Sequence, residues 1–189
     1  VRLLLAVVVV AAGAGACRPS EAPVAVARTG TLGGSGAGAA GAATPAPADA
    51  PRAVVVKRGA ARPPGDVPVV VVDVAATNED RRRGLGGRDR VERGEGMLFV
   101  YPRPEVRTFW MKDCPFSLDI AFLDARGRVV RLATLGPGTG VADADIPRAD
   151  SGVPVSFVLE TAGGWLRSLG IREGDRIDVA PAAAGVVPE

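Results

Sequence analysis

The 189 residues include no histidine, two cysteines and few aromatics, five Phe, two Trp and one Tyr. Without histidine, Ser-His-Asp and Cys-His catalysis and the commonest transition-metal sites are excluded at once. No P-loop and no well-placed dinucleotide-binding fingerprint occurs, so no cofactor is expected. Asp143, Asp145 and Asp150 share one long Gly-rich stretch. They lack the periodic spacing and the turn glycine of a calcium loop, so no metal is expected either. Excess charge is missing too: 23 basic residues face 21 acidic ones, a net +2. That balance is too small to argue for a nucleic-acid partner.

What is present is unevenly spread. Every aromatic lies between Phe99 and Trp165, whereas residues 18 to 66 are mostly Ala, Gly, Pro and Val with few bulky side chains. One globular domain is therefore expected over 66–180, with a short tail at 181–189. About 115 residues suffice for one core without metal or disulfide support. The opening VRLLLAVVVVAAGAGACRPS carries one basic residue, Arg2, then an apolar run ending at Cys17. That run is too short to span a bilayer and has the shape of a signal peptide over 1–16. Ala14-Gly15-Ala16-Cys17 resembles a bacterial lipobox, with Ala14 where Leu is commoner, which implies lipidation at Cys17. Residues 17–65 then read as a lipidated N-terminus and flexible tether, because LGGSGAGAAGAATPAPADAP has too little apolar area to offset its ordering entropy. If Cys17 carries lipid, no intramolecular bridge can form, and Cys114 is expected as a small buried hydrophobe beside Pro115.

Within the domain the pattern is one of short strands. VPVVVVDV is a β-branched run, and AVVVKR at 53–58 is a further edge-strand candidate. Thr77 caps a short helix with Asp80 three residues on and Gly84 as its stop. GMLFVY and VRTFWMK follow, the latter placing Phe109 and Met111 on one face and Thr108, Trp110 and Lys112 on the other. DIAFLD and RVVRLATL form a hairpin through Asp124-Ala125-Arg126-Gly127, with Gly127 in the left-handed position. A loop over 136–152 leads to VPVSFVLE, where Val153, Val155, Phe157 and Leu159 alternate with outward Ser156 and Glu160. Thr161 is expected to cap a second helix carrying Trp165, Leu166 and Leu169, and GDRIDVA closes the domain. The expectation is a mostly β fold of the α+β type: a compact, curved, mostly antiparallel sheet or small barrel with two short helices.

The order of these pieces resembles the bacterial and archaeal domain of unknown function 192. TNEDRRRGLGGR is similar to the family's T-P-E-E-R-x-x-G-L-M-x-R, and FWMKDCPFSLDIAFLD to F-W-M-K-N-T-x-x-P-L-D-I-x-F-L-D. GEGMLFVY and FVLETAGGWLRSLGIREGDRI complete the set over Val71 to Val179. The departures are Gly86 in place of Met and Asp113-Cys114 in place of Asn-Thr. The resemblance implies a fold and no agreed activity.

Trp110, Lys112, Asp113 and Asp119 gather where a strand ends and a loop turns. An aromatic wall beside fixed charges suits a small binding site, and also suits a buried structural ion pair. Arg81 and Arg83 on the short helix, with Arg88 after it, are candidate binding residues or a solvated face. For Asp119 the structural alternative is a hydrogen-bonded carboxylate or an ion pair with Arg81, Arg83 or Lys112. Three functions follow. The first is an exported, lipid-anchored envelope domain, periplasmic or at the outer surface, that binds a small polar ligand, a glycan or an envelope protein without catalysis. The second is an enzyme with Asp119 or Asp113 as general base and Lys112 or an arginine as electrostatic stabiliser. The third is a structural surface domain.

Overall fold

The structure, a computed structural model, describes residues 18–20, 51–57 and 65–189. The expected signal peptide, Cys17 and most of the tether lie outside the described residues. Two parts of the expected tether are strands: β1 (Arg18–Ser20) and β2 (Pro51–Lys57). β3 (Val69–Ala75) leads to helix α1 (Asn78–Arg83). Thr77 caps α1 as its sequence suggests: Thr77 Oγ1 accepts the Asp80 N–H at 3.1 Å and donates to Asp80 Oδ2 at 2.8 Å, and Gly84 ends the helix. The chain continues through β4 (Glu95–Glu105), β5 (Thr108–Trp110), β6 (Leu118–Leu123), β7 (Val129–Leu135) and β8 (Arg148–Asp150). It closes with β9 (Val155–Ala162), α2 (Trp165–Ser168), β10 (Arg176–Asp178) and α3 (Ala180–Ala183).

Seven strands form one sheet in the order β10-β2-β3-β4-β9-β6-β7. The β10-β2-β3-β4 run is parallel and the β4-β9-β6-β7 run antiparallel. The two ends of this sheet then meet. Val129 N–H donates to Asp175 O at 2.8 Å, Gly174 N–H to Val129 O at 2.7 Å and Ile177 N–H to Gly127 O at 2.8 Å. These bonds join the start of β7 to the segment entering β10, so the curved sheet is nearly closed as a small barrel, the architecture expected. A second, antiparallel sheet, β1-β5-β8, pairs the strand expected within VRTFWMK with short strands from the expected tether and from the 136–152 loop.

Both faces of the large sheet are covered. Leu98, Val100, Ala121, Leu123 and Leu159 belong to one core, with Val70, Val72 and Ile177. The alternating neighbours Met97, Phe99, Ile120, Phe122 and Val158 belong to the other, with Phe109 and Met111. β6 is accordingly buried at all six positions. Phe109, carried in on β5, meets Phe99 and Phe122 edge to face at 5.0 and 5.9 Å between ring centres. The aromatic density of RTFWMKDCPFSLDIAFLD is therefore chiefly core packing between the two sheets.

Four expectations need correction. β2 is not an edge strand but lies between β10 and β3. β2 and α3 extend the fold beyond the 66–180 interval, because α3 packs on β2 and the Glu189 N–H bonds to Ala76 O at 3.1 Å. In β9 the inward and outward assignment fails: Val153 precedes the strand and is 48% exposed, whereas Glu160 is buried. Thr161 ends up buried within β9, and α2 starts after Gly164.

Candidate functional site

Asp119 is fully buried, and its carboxylate is spent on the chain itself. Oδ1 accepts the Gly164 N–H at 2.9 Å and the Thr134 hydroxyl at 2.6 Å, and Oδ2 accepts the Leu166 N–H at 2.9 Å. Gly164, in a left-handed conformation, offers no side chain to the start of α2. A carboxylate from the neighbouring strand satisfies the donors that a Ser or Asp at the cap would otherwise satisfy. Its partners are thus not Arg81, Arg83 or Lys112.

The three arginines of the first helix region also part company. Arg81 is buried, its guanidinium donating to Ala76 O, Val100 O, Asn78 Oδ1 and Glu189 O, with its Cζ 5.2 Å from the Tyr101 ring centre. Burial lowers its pKa from the ordinary value, partly offset by Tyr101. Arg83 pairs with Asp80 on the exposed helix face, and Arg88 with Asp73 at 2.5 Å. Arg81 is a strut, and the other two sit in surface pairs.

Trp110 and Lys112 do come together. Lys112 Nζ lies 5.3 Å from the Trp110 ring centre, Arg148 Cζ lies 5.5 Å from it, and Lys112 reaches Asp143 at 3.3 Å. The ring is thus flanked by the protein's own cations. Asp113 is exposed, with φ of 55°, a left-handed conformation that Asn and Asp tolerate better than other side chains. That backbone demand accounts for the exchange between Asp here and Asn in the resembling pattern. Cys114 is buried as expected, but it is disulfide-bonded, which corrects the expectation that no bridge forms.

Sequence reasoning missed two further groups. Glu160 is 1% exposed, its Oε2 has no hydrogen-bond partner among the described residues, and burial pushes its pKa up to about 8. Nearby Tyr101 is raised as well, by burial, against the lowering influence of Arg107 and Arg81. Arg107 stacks on Tyr101 at 3.9 Å. The second group lines a pocket of about 640 Å³ where the β6–β7 turn, β10 and α3 meet. Arg126, Arg128 and Arg176 face it with Asp178, over Phe157 and Val179. Arg128 Nη1 donates to Gly174 O at 2.9 Å and Arg176 Nε to Arg126 O at 3.3 Å. The arginines of Arg126-Gly127-Arg128 are visible in the sequence, but Arg176 joins them only through the barrel seam, which no local pattern reveals.

Residues 60–179 match the family DUF192, described as "Uncharacterized ACR". No curated protein matches the chain. Among solved structures, one similar chain is a "putative transcription regulator" from Sinorhizobium meliloti 1021. It shows 29% identity and a TM-score of 0.48, over 56% of this chain and 78% of that one. Another is a protein of unknown function from Novosphingobium aromaticivorans DSM 12444, with 31% identity and a TM-score of 0.49, over 56% and 71%.

Proposed function

Because the chain belongs to the DUF192 family, which brings a fold and no activity, we propose from its own residues that it is an exported, non-catalytic domain binding a small polar ligand. The observation that carries this reading is the arginine-lined pocket of about 640 Å³, within the size range of small-molecule sites. The carboxylates first considered as general bases are otherwise engaged or placed. Asp119 caps α2 and Asp113 is exposed at a tight turn. Glu160, a further carboxyl raised to about 8, does not line the pocket. Ala183 of α3 does line it, so Ala183→Trp would fill the space. Incubation of the full chain with a metabolite mixture, followed by mass spectrometry of what is retained, should show a small polar molecule held by the natural chain and released by Ala183→Trp. Equal retention by both would sink the pocket as the site.

Export is supported by the signal-peptide shape of residues 1–16 and by a disulfide at Cys114, a bond that persists in oxidising compartments. The lipobox-like Ala14-Gly15-Ala16-Cys17 supports a lipid anchor in the cell envelope. A second reading is favoured by the disulfide itself. The sequence has two cysteines, so a bridge within one chain and a lipid thioether at Cys17 compete for one sulfur. Intact mass of the mature protein separates them: a diacylated N-terminal cysteine adds the mass of the lipid, whereas a bridge removes two hydrogens and restores them on reduction. Export predicts one of these two masses, and an unprocessed chain with both thiols reduced would overturn it.

A further inference from the structure

Away from the pocket, we infer that Trp110, Lys112 and Arg148 form a binding site for the carboxylate of an acidic ligand, and that Asp143 occupies it as an internal competitor. None of these residues lines the pocket, so each site is tested without the other. β5 alternates: Phe109 and Met111 are fully buried in the core, whereas Trp110 and Lys112 share the opposite, half-buried face. In the antiparallel pairing with β8, Trp110 stands opposite Arg148, which brings that guanidinium to the same face. Lys112 Nζ and Arg148 Cζ accordingly lie 5.3 and 5.5 Å from the centre of the Trp110 ring. The Trp110 Nε1–H is buried without an acceptor among the described residues, a donor that an oxygen reaching the ring would satisfy.

Asp143 bonds to both cations. Its carboxylate lies 3.3 Å from Lys112 Nζ, and its backbone oxygen accepts from Arg148 Nη2 at 2.8 Å. It stands on a loop that is fixed at its ends and uncovered between them. Gly138 is buried and donates to Cys114 O at 2.9 Å, and a Cβ there would lie 1.9 Å from Met111 O. Ile146 is buried at the other end, and Pro147 O accepts the Met111 N–H at 3.0 Å. Residues 139–145 are all exposed. The Asp143 side chain is 76% exposed, so its pair with Lys112 is a solvated one, which another carboxylate replaces at little cost. Asp150, also exposed on β8, is not the competitor, because it pairs with Arg131 at 3.0 Å. The occupant is an aspartate on an exposed loop, and an acidic peptide or a free carboxylate presents the same group.

The test follows the Trp110 indole N–H resonance of the full chain, assigned by its loss in Trp110→Phe. The probes are acetyl-Ala-Asp-Ala-Asp-amide, which copies Ala142 to Asp145, and its counterpart with Asn in place of Asp. The acidic peptide should shift the resonance saturably, less tightly as salt is raised, and the Asn peptide should leave it in place. Asp143→Asn, which removes the competitor, should tighten the acidic peptide by about two- to fivefold, the range that a solvated ion pair allows. Lys112→Gln should weaken it by a similar factor. Acetate distinguishes the sources of the carboxylate: a saturable shift in the same concentration range assigns a free carboxylate, and a shift with the peptide alone assigns an acidic peptide. No shift by the acidic peptide up to about 10 mM, equal shifts by both peptides, or an affinity not raised in Asp143→Asn would overturn the inference.

Discussion

Two buried carboxyl groups in this protein have opposite circumstances, and their mutants should behave in opposite ways. Asp119 meets three donors, so Asp119→Ala would leave the N–H groups of Gly164 and Leu166 and the Thr134 hydroxyl without that acceptor. A loss of about 3 kcal/mol is expected, read as a lowered midpoint in chemical denaturation. A midpoint within error of the natural chain would return Asp119 to the list of functional candidates. Among the described residues Glu160 instead has no hydrogen-bond partner for Oε2, and burial holds its carboxyl neutral up to about pH 8. Its folded pKa lies above the ordinary 4.5. The stabilisation is therefore complete below pH 4.5 and is lost as the pH rises through about 8, when a charge must be carried inside the core. The charged groups linked to it through Tyr101 are Arg81 and Arg107. Glu160→Gln should flatten the decline in stability across that interval, a change of up to about 5 kcal/mol. Denaturation curves of mutant and natural chain running parallel from pH 5 to 9 would refute the assignment.

At the scale of elements, the hairpin of β6 and β7 shows what local pattern can and cannot convey. Its turn, strand limits and left-handed Gly127 are legible because each depends on residues within a few positions of one another. So are the cap of α1 by Thr77 and the alternation of Phe109 and Met111. The cap of α2 is not, since Asp119 reaches it from 45 residues away in sequence. Nor is the burial of Glu160, because an alternating strand reads as half-buried unless a second layer is known to cover its outer face. The candidate site divides in the same way: Trp110 and Lys112 meet through local spacing, whereas the pocket needs the seam. That seam is tight at Gly127, where φ is 76° and a Cβ would lie 2.3 Å from Ile177 O. Gly140 has φ of 75° with open space around it. Gly140→Ala should cost about 1 kcal/mol for its backbone conformation alone. Gly127→Ala should cost about 2 to 4 kcal/mol, as β10 is pushed away from the turn. Equal losses in the two mutants, measured by thermal unfolding, would mean that the seam yields to a methyl group.

For the whole molecule, the decisive feature is that a strand from a Pro- and Ala-rich region lies inside the sheet. Composition placed the start of the domain at 66 because bulky side chains are scarce before it, yet β2 needs only Ala53 and Val55 to fill its share of the core. Small and β-branched residues are enough where both neighbouring strands supply larger ones. β2 bonds to β3 on one side and β10 on the other, and α3 covers it. A chain beginning at Asp66 would therefore lose more than an appendage. It would leave β3 and β10 without their shared partner and uncover Val70, Val72, Ile177 and Ala182, all of them buried. Each valine so exposed forfeits about 1.5 to 3 kcal/mol, and the orphaned backbone groups of two strands add to that. Such a loss is comparable to the roughly 5 to 15 kcal/mol that holds a domain of this size. A chain beginning at Asp49 retains β2 and should unfold in one cooperative transition with dispersed amide NMR signals, whereas the chain beginning at Asp66 should show neither. Cooperative unfolding of the shorter chain would demonstrate that β3 and β10 pair directly or stand without β2, and the sheet order β10-β2-β3 would have to be abandoned.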